Sequence, residues 1–146
     1  MPLHYHLDPR QHLVIGRACG TLTDADVAAY LGAITGDARF HPTMDQLLNC
    51  LELTRVRVSY EMLHRLAHHS PFGPGSRRAI VVASTTAVTY ARFYRALVQD
   101  RSSEVEVFHD MPSALRFLGR DRLTTVETTH PQQKILPTSR AIFRLA

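Results

Sequence analysis

Leu3, Tyr5 and Leu7 alternate with His4 and His6, the period of a half-buried strand, and Asp8-Pro9-Arg10 follows with turn chemistry, Pro in its favoured second position. Leu13 to Cys19 returns as a second strand, and so short a connection forces the pair antiparallel. Thr23 with Asp26 three residues on has the spacing of a capping box. Val27, Tyr30, Leu31 and Ile34 share the helical face behind it, and Gly36 marks the stop. Leu47 to Leu53 is nearly continuously apolar, as a strand covered on both faces should be; Ser59 then opens a helix with Met62, Leu63, Leu66 and Ala67 as its stripe. Residues 70–76, SPFGPGS, read as a rigid loop. Ala79 to Ala83, bounded by Arg78 and Ser84, is the least ambiguous strand and is expected at the centre of the sheet.

Thr86 to Gln99 carries Tyr90, Ala91, Tyr94, Leu97 and Val98 on one side of a helix, whereas Glu104 to Phe108 alternates charge with Val105 and Val107. Asp110 caps a last short helix with Pro112 in its first turn, Met111, Ala114, Leu115 and Leu118 as its stripe and Gly119 as its stop. The order β-β-α-β-α-β-α-β-α predicts an α/β fold. An N-terminal antiparallel hairpin followed by right-handed crossovers gives a mixed five-stranded sheet, its later strands parallel, with about four helices against it.

Composition narrows the class. The chain has 146 residues, 45% of them hydrophobic and 21% charged, which fits one globular domain. No apolar run approaches the roughly 18 residues of a membrane span, and no basic-then-apolar leader opens the chain, so a cytoplasmic protein without membrane partners is expected. Cys19 and Cys50 are too few for a disulfide scaffold and read as reduced, buried thiols. The net charge of +4 is concentrated in residues 120–146, which hold four Arg, Lys134 and only two acids. The body is nearly neutral, and Arg92 and Arg95 with Tyr94 make too narrow a basic face for nucleic acid. Residues 1–119 are therefore expected to form the domain and 120–146 a C-terminal extension. Ile135, Leu136, Ile142, Phe143 and Leu145 form an apolar set too large to leave in water, so this arm is expected to supply the interface of a homodimer.

The strand-loop-Ser-helix step LLNCLELTRVRVSYEML, the GSRRAIVVAS strand and the closing VEVFHDMPSALRFLG, in this element order, resemble the SpoIIAA-like branch of the STAS fold over about residues 3 to 119. That branch includes bacterial anti-sigma-factor antagonists. The resemblance implies a regulatory, non-enzymatic module that works through protein contacts. In the antagonists a serine opening the helix after the middle strand is phosphorylated in an Asp-Ser-Ser-Gly-like context; Ser59 holds the comparable place, but Val58-Ser59-Tyr60-Glu61 lacks the Asp, the second Ser and the Gly.

Polar residues cluster where an open α/β sheet gathers ligands, beyond the carboxyl ends of the strands. Thr54, Arg55, Arg57 and Ser59 follow one strand, Ser84, Thr85 and Thr86 the next, and His109 with Asp110 the last. These residues could bind a protein partner or a small anionic or amphipathic ligand, with the two arginines suited to phosphate or carboxylate. The plainer account makes Ser59, Thr86 and Asp110 helix caps and the arginines solvated. His64 and His68 share a helix face at i, i+4, but no third ligand accompanies them, so no metal is expected. No nucleophile elbow, phosphate loop or dinucleotide fingerprint occurs, which argues against an enzyme and against a cofactor. A deep apolar pocket would favour a ligand binder and a flat face a partner module.

Overall fold

The computed structural model describes residues 2–98 and 104–120; Gln99 and the extension beyond Arg120, with the dimer contact expected of it, lie outside the described residues. β1 (Leu3–Asp8) and β2 (Leu13–Thr23) form the antiparallel hairpin. Asp8 Oδ1 accepts from the N–H groups of Arg10 (3.0 Å) and Gln11 (3.2 Å), and His12 completes the turn at φ 55°. α1 (Asp24–Thr35) starts at a full capping box: the Thr23 hydroxyl accepts from the Asp26 N–H, and Asp26 Oδ2 accepts from the Thr23 N–H at 2.9 Å. There follow β3 (Asp45–Arg57), α2 (Tyr60–His68), β4 (Arg77–Val82), α3 (Thr85–Leu97), β5 (Glu104–Phe108) and α4 (Met111–Phe117).

The five strands lie in sequence order, with β2 through β5 parallel. β3 is therefore the middle strand rather than β4, because the hairpin adds two strands on one side and only β5 follows on the other. Tyr30 and Ile34 of α1, Ala67 of α2 and Ala87 and Ala91 of α3 share one core with Val14, Ala18, Cys50, Ile80 and Val82 of the sheet. The opposite face buries Leu13, Ile15, Leu47, Ala79 and Val81 under Met111, Ala114, Leu115 and Leu118. With α1 to α3 on one face and each crossover advancing one strand in the same direction, the three crossovers share one hand.

β3 runs four residues past the predicted Leu53, and its pairing slips twice against β2. Arg17 pairs with Asn49 but Cys19 with Glu52, and Gly20 pairs with Leu53 but Thr21 with Arg55. Each slip is a bulge carrying one additional residue on β3, and each flips the side-chain alternation. The residues facing α1 to α3 are consequently Gln46, Leu48 and Cys50, then Leu53, then Val56 and Val58. Two further expectations are corrected. Ser84 rather than Thr86 caps α3, its hydroxyl accepting from the Ala87 N–H at 3.1 Å, and Cys19 is only half-buried, whereas Cys50 is buried; both thiols are free. Arg120 folds back on the body, donating from Nη1 to Asp45 Oδ2 at 2.7 Å and from Nη2 to the Gln11 carbonyl at 2.6 Å.

Candidate functional site

Between the sheet and α1 to α3 the packing leaves a partly open cavity of about 130 Å³. Its floor is Ala18 and Leu22 of β2, Gln46, Leu48, Cys50 and Leu53 of β3 and the inward side of β4; its roof comes from Val27, Tyr30 and Leu31 of α1, Leu63 and Leu66 of α2, and Ala87, Tyr90, Ala91 and Tyr94 of α3. Gly16 is the reason Tyr30 can reach across the sheet. A Cβ there would stand 2.8 Å from the Tyr30 hydroxyl and 2.8 Å from Leu48 Cδ1. With that room, Gln46 Nε2 donates to the Tyr30 oxygen at 2.7 Å. Burial pushes the Tyr30 phenol well above its ordinary value and the Cys50 thiol up to about 12, so both stay protonated at neutral pH.

Among the described residues one charged group lines this apolar space. Arg78 stands beside Gln46 in the β3–β4 register and points with Ile80 and Val82 toward the helices, only 4% exposed. Its guanidinium carbon lies 5.3 Å from the centroid of Phe72 and 5.4 Å from that of Tyr94. Nη1 donates to Ser70 Oγ at 3.2 Å, but Nε and Nη2 have no hydrogen-bond partner among the described residues. No carboxylate pairs with Arg78 among the described residues. A buried cation normally has a counter-charge, because the desolvation cost is several kcal/mol.

The residues singled out at the carboxyl ends of the strands lie elsewhere. Thr54, Arg55 and Arg57 are exposed along the end of β3, and Thr85, Thr86 and His109 are exposed as well. Ser59 and Ser84 cap α2 and α3, and neither lines the cavity. The Ser59 N–H donates to Asp24 Oδ1 at 2.7 Å, so an acidic side chain already occupies the neighbourhood of that hydroxyl. Tyr94 turns inward over Arg78, as its place in the apolar stripe of α3 predicts, and so leaves the basic face of Arg92 and Arg95; Arg95 pairs with Glu106 at 3.3 Å. His64 and His68 do share a face, with ring centroids 5.9 Å apart, and His68 Nδ1 lies 2.8 Å from the His64 carbonyl. Among the described residues no group of three or more His, Cys, Asp or Glu could hold a metal ion, and no helix is long and apolar enough to cross a membrane.

Arg78 is the residue that sequence reasoning missed, since it stands at the boundary of the apolar run that marks its strand. The signal was available: in a strand covered on both faces, the period of two places Arg78 on the side of Ile80 and Val82.

No family model and no curated protein matches this chain. Among solved structures it is similar to an uncharacterized DUF3478-family protein from Shewanella loihica PV-4 described as having a SpoIIAA-like fold. The two share 20% identity and a TM-score of 0.52 over 80% of this chain and 93% of that one. Element order, strand directions and this likeness agree that the chain has a SpoIIAA-like α/β fold.

Proposed function

We propose that this protein binds a small amphipathic molecule in the cavity between the sheet and α1 to α3 and does not transform it chemically. The observation that carries this reading is the cavity itself. Protein interiors are close-packed, and a partly open space of about 130 Å³ leaves its apolar lining short of contacts worth about 25 cal/mol for each Å² buried. A ligand that fills it recovers that contact energy. Among the described residues the walls bear no His, Asp, Glu or Lys to serve as a general base, and the Cys50 thiol is held protonated. These features support binding without catalysis.

The test is thermal melting of the full chain against a panel of aliphatic and aromatic compounds with apolar bodies of about six to ten carbons, the scale set by an apolar cavity of about 150 Å³ that takes up benzene. Members of the panel should raise the melting temperature of the wild type. Ala91→Phe, which fills the roof of the cavity from α3, should abolish the rise. A panel without effect on the wild type would overturn the reading.

A regulatory module working through protein contacts around Thr54 to Leu66 is the second reading, and Tyr60 favours it. This side chain is 60% exposed, with its ring 4.4 Å from that of His64 and 5.0 Å from that of Phe93. Exposed aromatic side chains of this kind anchor protein interfaces. Tyr60→Ala should then abolish capture of a protein partner from the source cell while leaving ligand-induced melting shifts intact; capture unchanged by Tyr60→Ala would count against it.

A further inference from the structure

Resting on the ligand-binding reading above, we propose that the ligand is a monocarboxylate whose head group is gripped by Arg78 while its hydrocarbon body fills the apolar cavity. Three observations converge. The guanidinium is almost wholly buried and has no anionic partner among the described residues. It lines the cavity with Nε and Nη2 buried just behind the surface, so a carboxylate engages them by pushing aside the side chains that cover them. The two nitrogens without a partner among the described residues are Nε and Nη2, while Nη1 already donates to Ser70.

That pairing is informative. Nε–H and Nη2–H lie on the same edge of the guanidinium and point in parallel, which is the side-on fork that donates to both oxygens of one carboxylate. The guanidinium carbon lies over the Phe72 and Tyr94 rings and Ser70 holds the far nitrogen, so the group is positioned before a ligand arrives. One buried positive charge balances one negative charge. A phosphate monoester would bring close to two charges into an apolar site with a single cation, leaving the second uncompensated. A neutral alcohol would leave the fork unfilled. The ligand chemistry that satisfies both the cation and the walls is therefore an aliphatic or aryl-alkyl monocarboxylate.

The experiment is isothermal calorimetry on the full chain at neutral pH with hexanoate, octanoate, 1-octanol and octyl phosphate, for the wild type, Arg78→Met and Arg78→Lys. Octanoate should bind the wild type roughly ten- to a hundredfold more tightly than 1-octanol, the range of hydrogen bonds to a charged group. Arg78→Met should erase that preference and retain 1-octanol binding. Arg78→Lys keeps the charge but not the fork, and should lose most of the preference; it also serves as the decisive variant should Arg78→Met fail to fold. Equal affinity for octanoate and 1-octanol in the wild type would overturn the role of Arg78 but leave the cavity a binding site. Tighter binding of octyl phosphate than of octanoate would overturn the carboxylate assignment. Absence of binding by all four compounds would overturn the carboxylate assignment; the cavity reading falls with it only if the broader aliphatic and aromatic panel is also without effect.

Discussion

Gly16→Ala tests the packing that shapes the cavity floor. The added methyl would stand 2.8 Å from the Tyr30 hydroxyl and 2.8 Å from Leu48 Cδ1, closer than such atoms approach in folded proteins. Leu48 is met at the end of its side chain and can turn aside. Tyr30 cannot do so cheaply, because its ring is buried edge-on against Tyr5 at 6.0 Å and its oxygen holds the Gln46 amide at 2.7 Å. Overpacking costs about 1–3 kcal/mol, and stranding the Gln46 amide adds to that if Tyr30 yields. The smaller conformational freedom of an alanine in the unfolded chain returns about 0.4–1 kcal/mol. The net expectation is a loss of about 2 kcal/mol, read as a lower urea midpoint with an unchanged slope. Tyr30→Phe removes the oxygen that the added methyl would meet. The double variant should therefore be more stable than the sum of the two single losses by about 1 kcal/mol. Strict additivity, or a Gly16→Ala protein as stable as the wild type, would show that Tyr30 is not wedged against Gly16.

Three other predictions follow from particular contacts. Ser59→Ala should lose about 1 kcal/mol in urea unfolding, because the hydroxyl accepts from the Met62 N–H at 3.1 Å; Ser59→Asp should not recover all of it, because its carboxylate would join that of Asp24, and full recovery would refute this crowding. Arg39 donates to Asp37 at 2.9 and 3.1 Å and holds its carboxyl well below the usual carboxylate range, with the Tyr5 hydroxyl contributing at 2.9 Å. A depressed folded value means stability that is complete above the unfolded value of about 3.9 and lost as the pH falls through the folded one, so the stability gap between wild type and Asp37→Asn should shrink in acid. A gap that stays constant from neutral pH down to strong acid would contradict it. Light scattering should show the full chain as a homodimer and a chain ending at Arg120, which keeps the contacts to Gln11 and Asp45, as a monomer; a monomeric full chain would end the idea of an interface in residues 120–146.

Much of the fold was legible because it rests on signals that act locally. Thr23 with Asp26, Ser59 and Asp110 each satisfy N–H groups at the start of their own helix, and Gly36 ends α1 where expected. The misplacements have a common cause, namely that pairing partners lie far away in sequence. The two bulges of β3 depend on its register against β2, and nothing within Leu47 to Leu53 announces that pairing continues to Arg57. The position of β3 at the middle of the sheet likewise depends on which side the hairpin adds its strands. Side-chain period cannot carry that information.

The site was harder to read because a cavity is a matter of volume, and a hydrophobic pattern records polarity. Ala18, Ala87 and Ala91 register as core positions no different from Leu, yet their small size around one space leaves it open. The carboxyl ends of the strands drew attention through their hydroxyls and acids, but Ser59, Ser84 and Asp110 accept from their own helices at 3.1, 3.1 and 2.8 Å. Those groups are therefore already engaged and have little left to offer a ligand. Arg78 has the opposite character, since its donors outnumber the acceptors around it. A residue of that kind is poorly explained by stability: apolar replacements of buried charges are commonly neutral or stabilising. The Arg78→Met protein without ligand should accordingly melt no lower than the wild type, and the wild type should overtake it only when a carboxylate is added. A large loss of stability in the unliganded variant would instead make Arg78 a structural strut for Ser70, Phe72 and Tyr94.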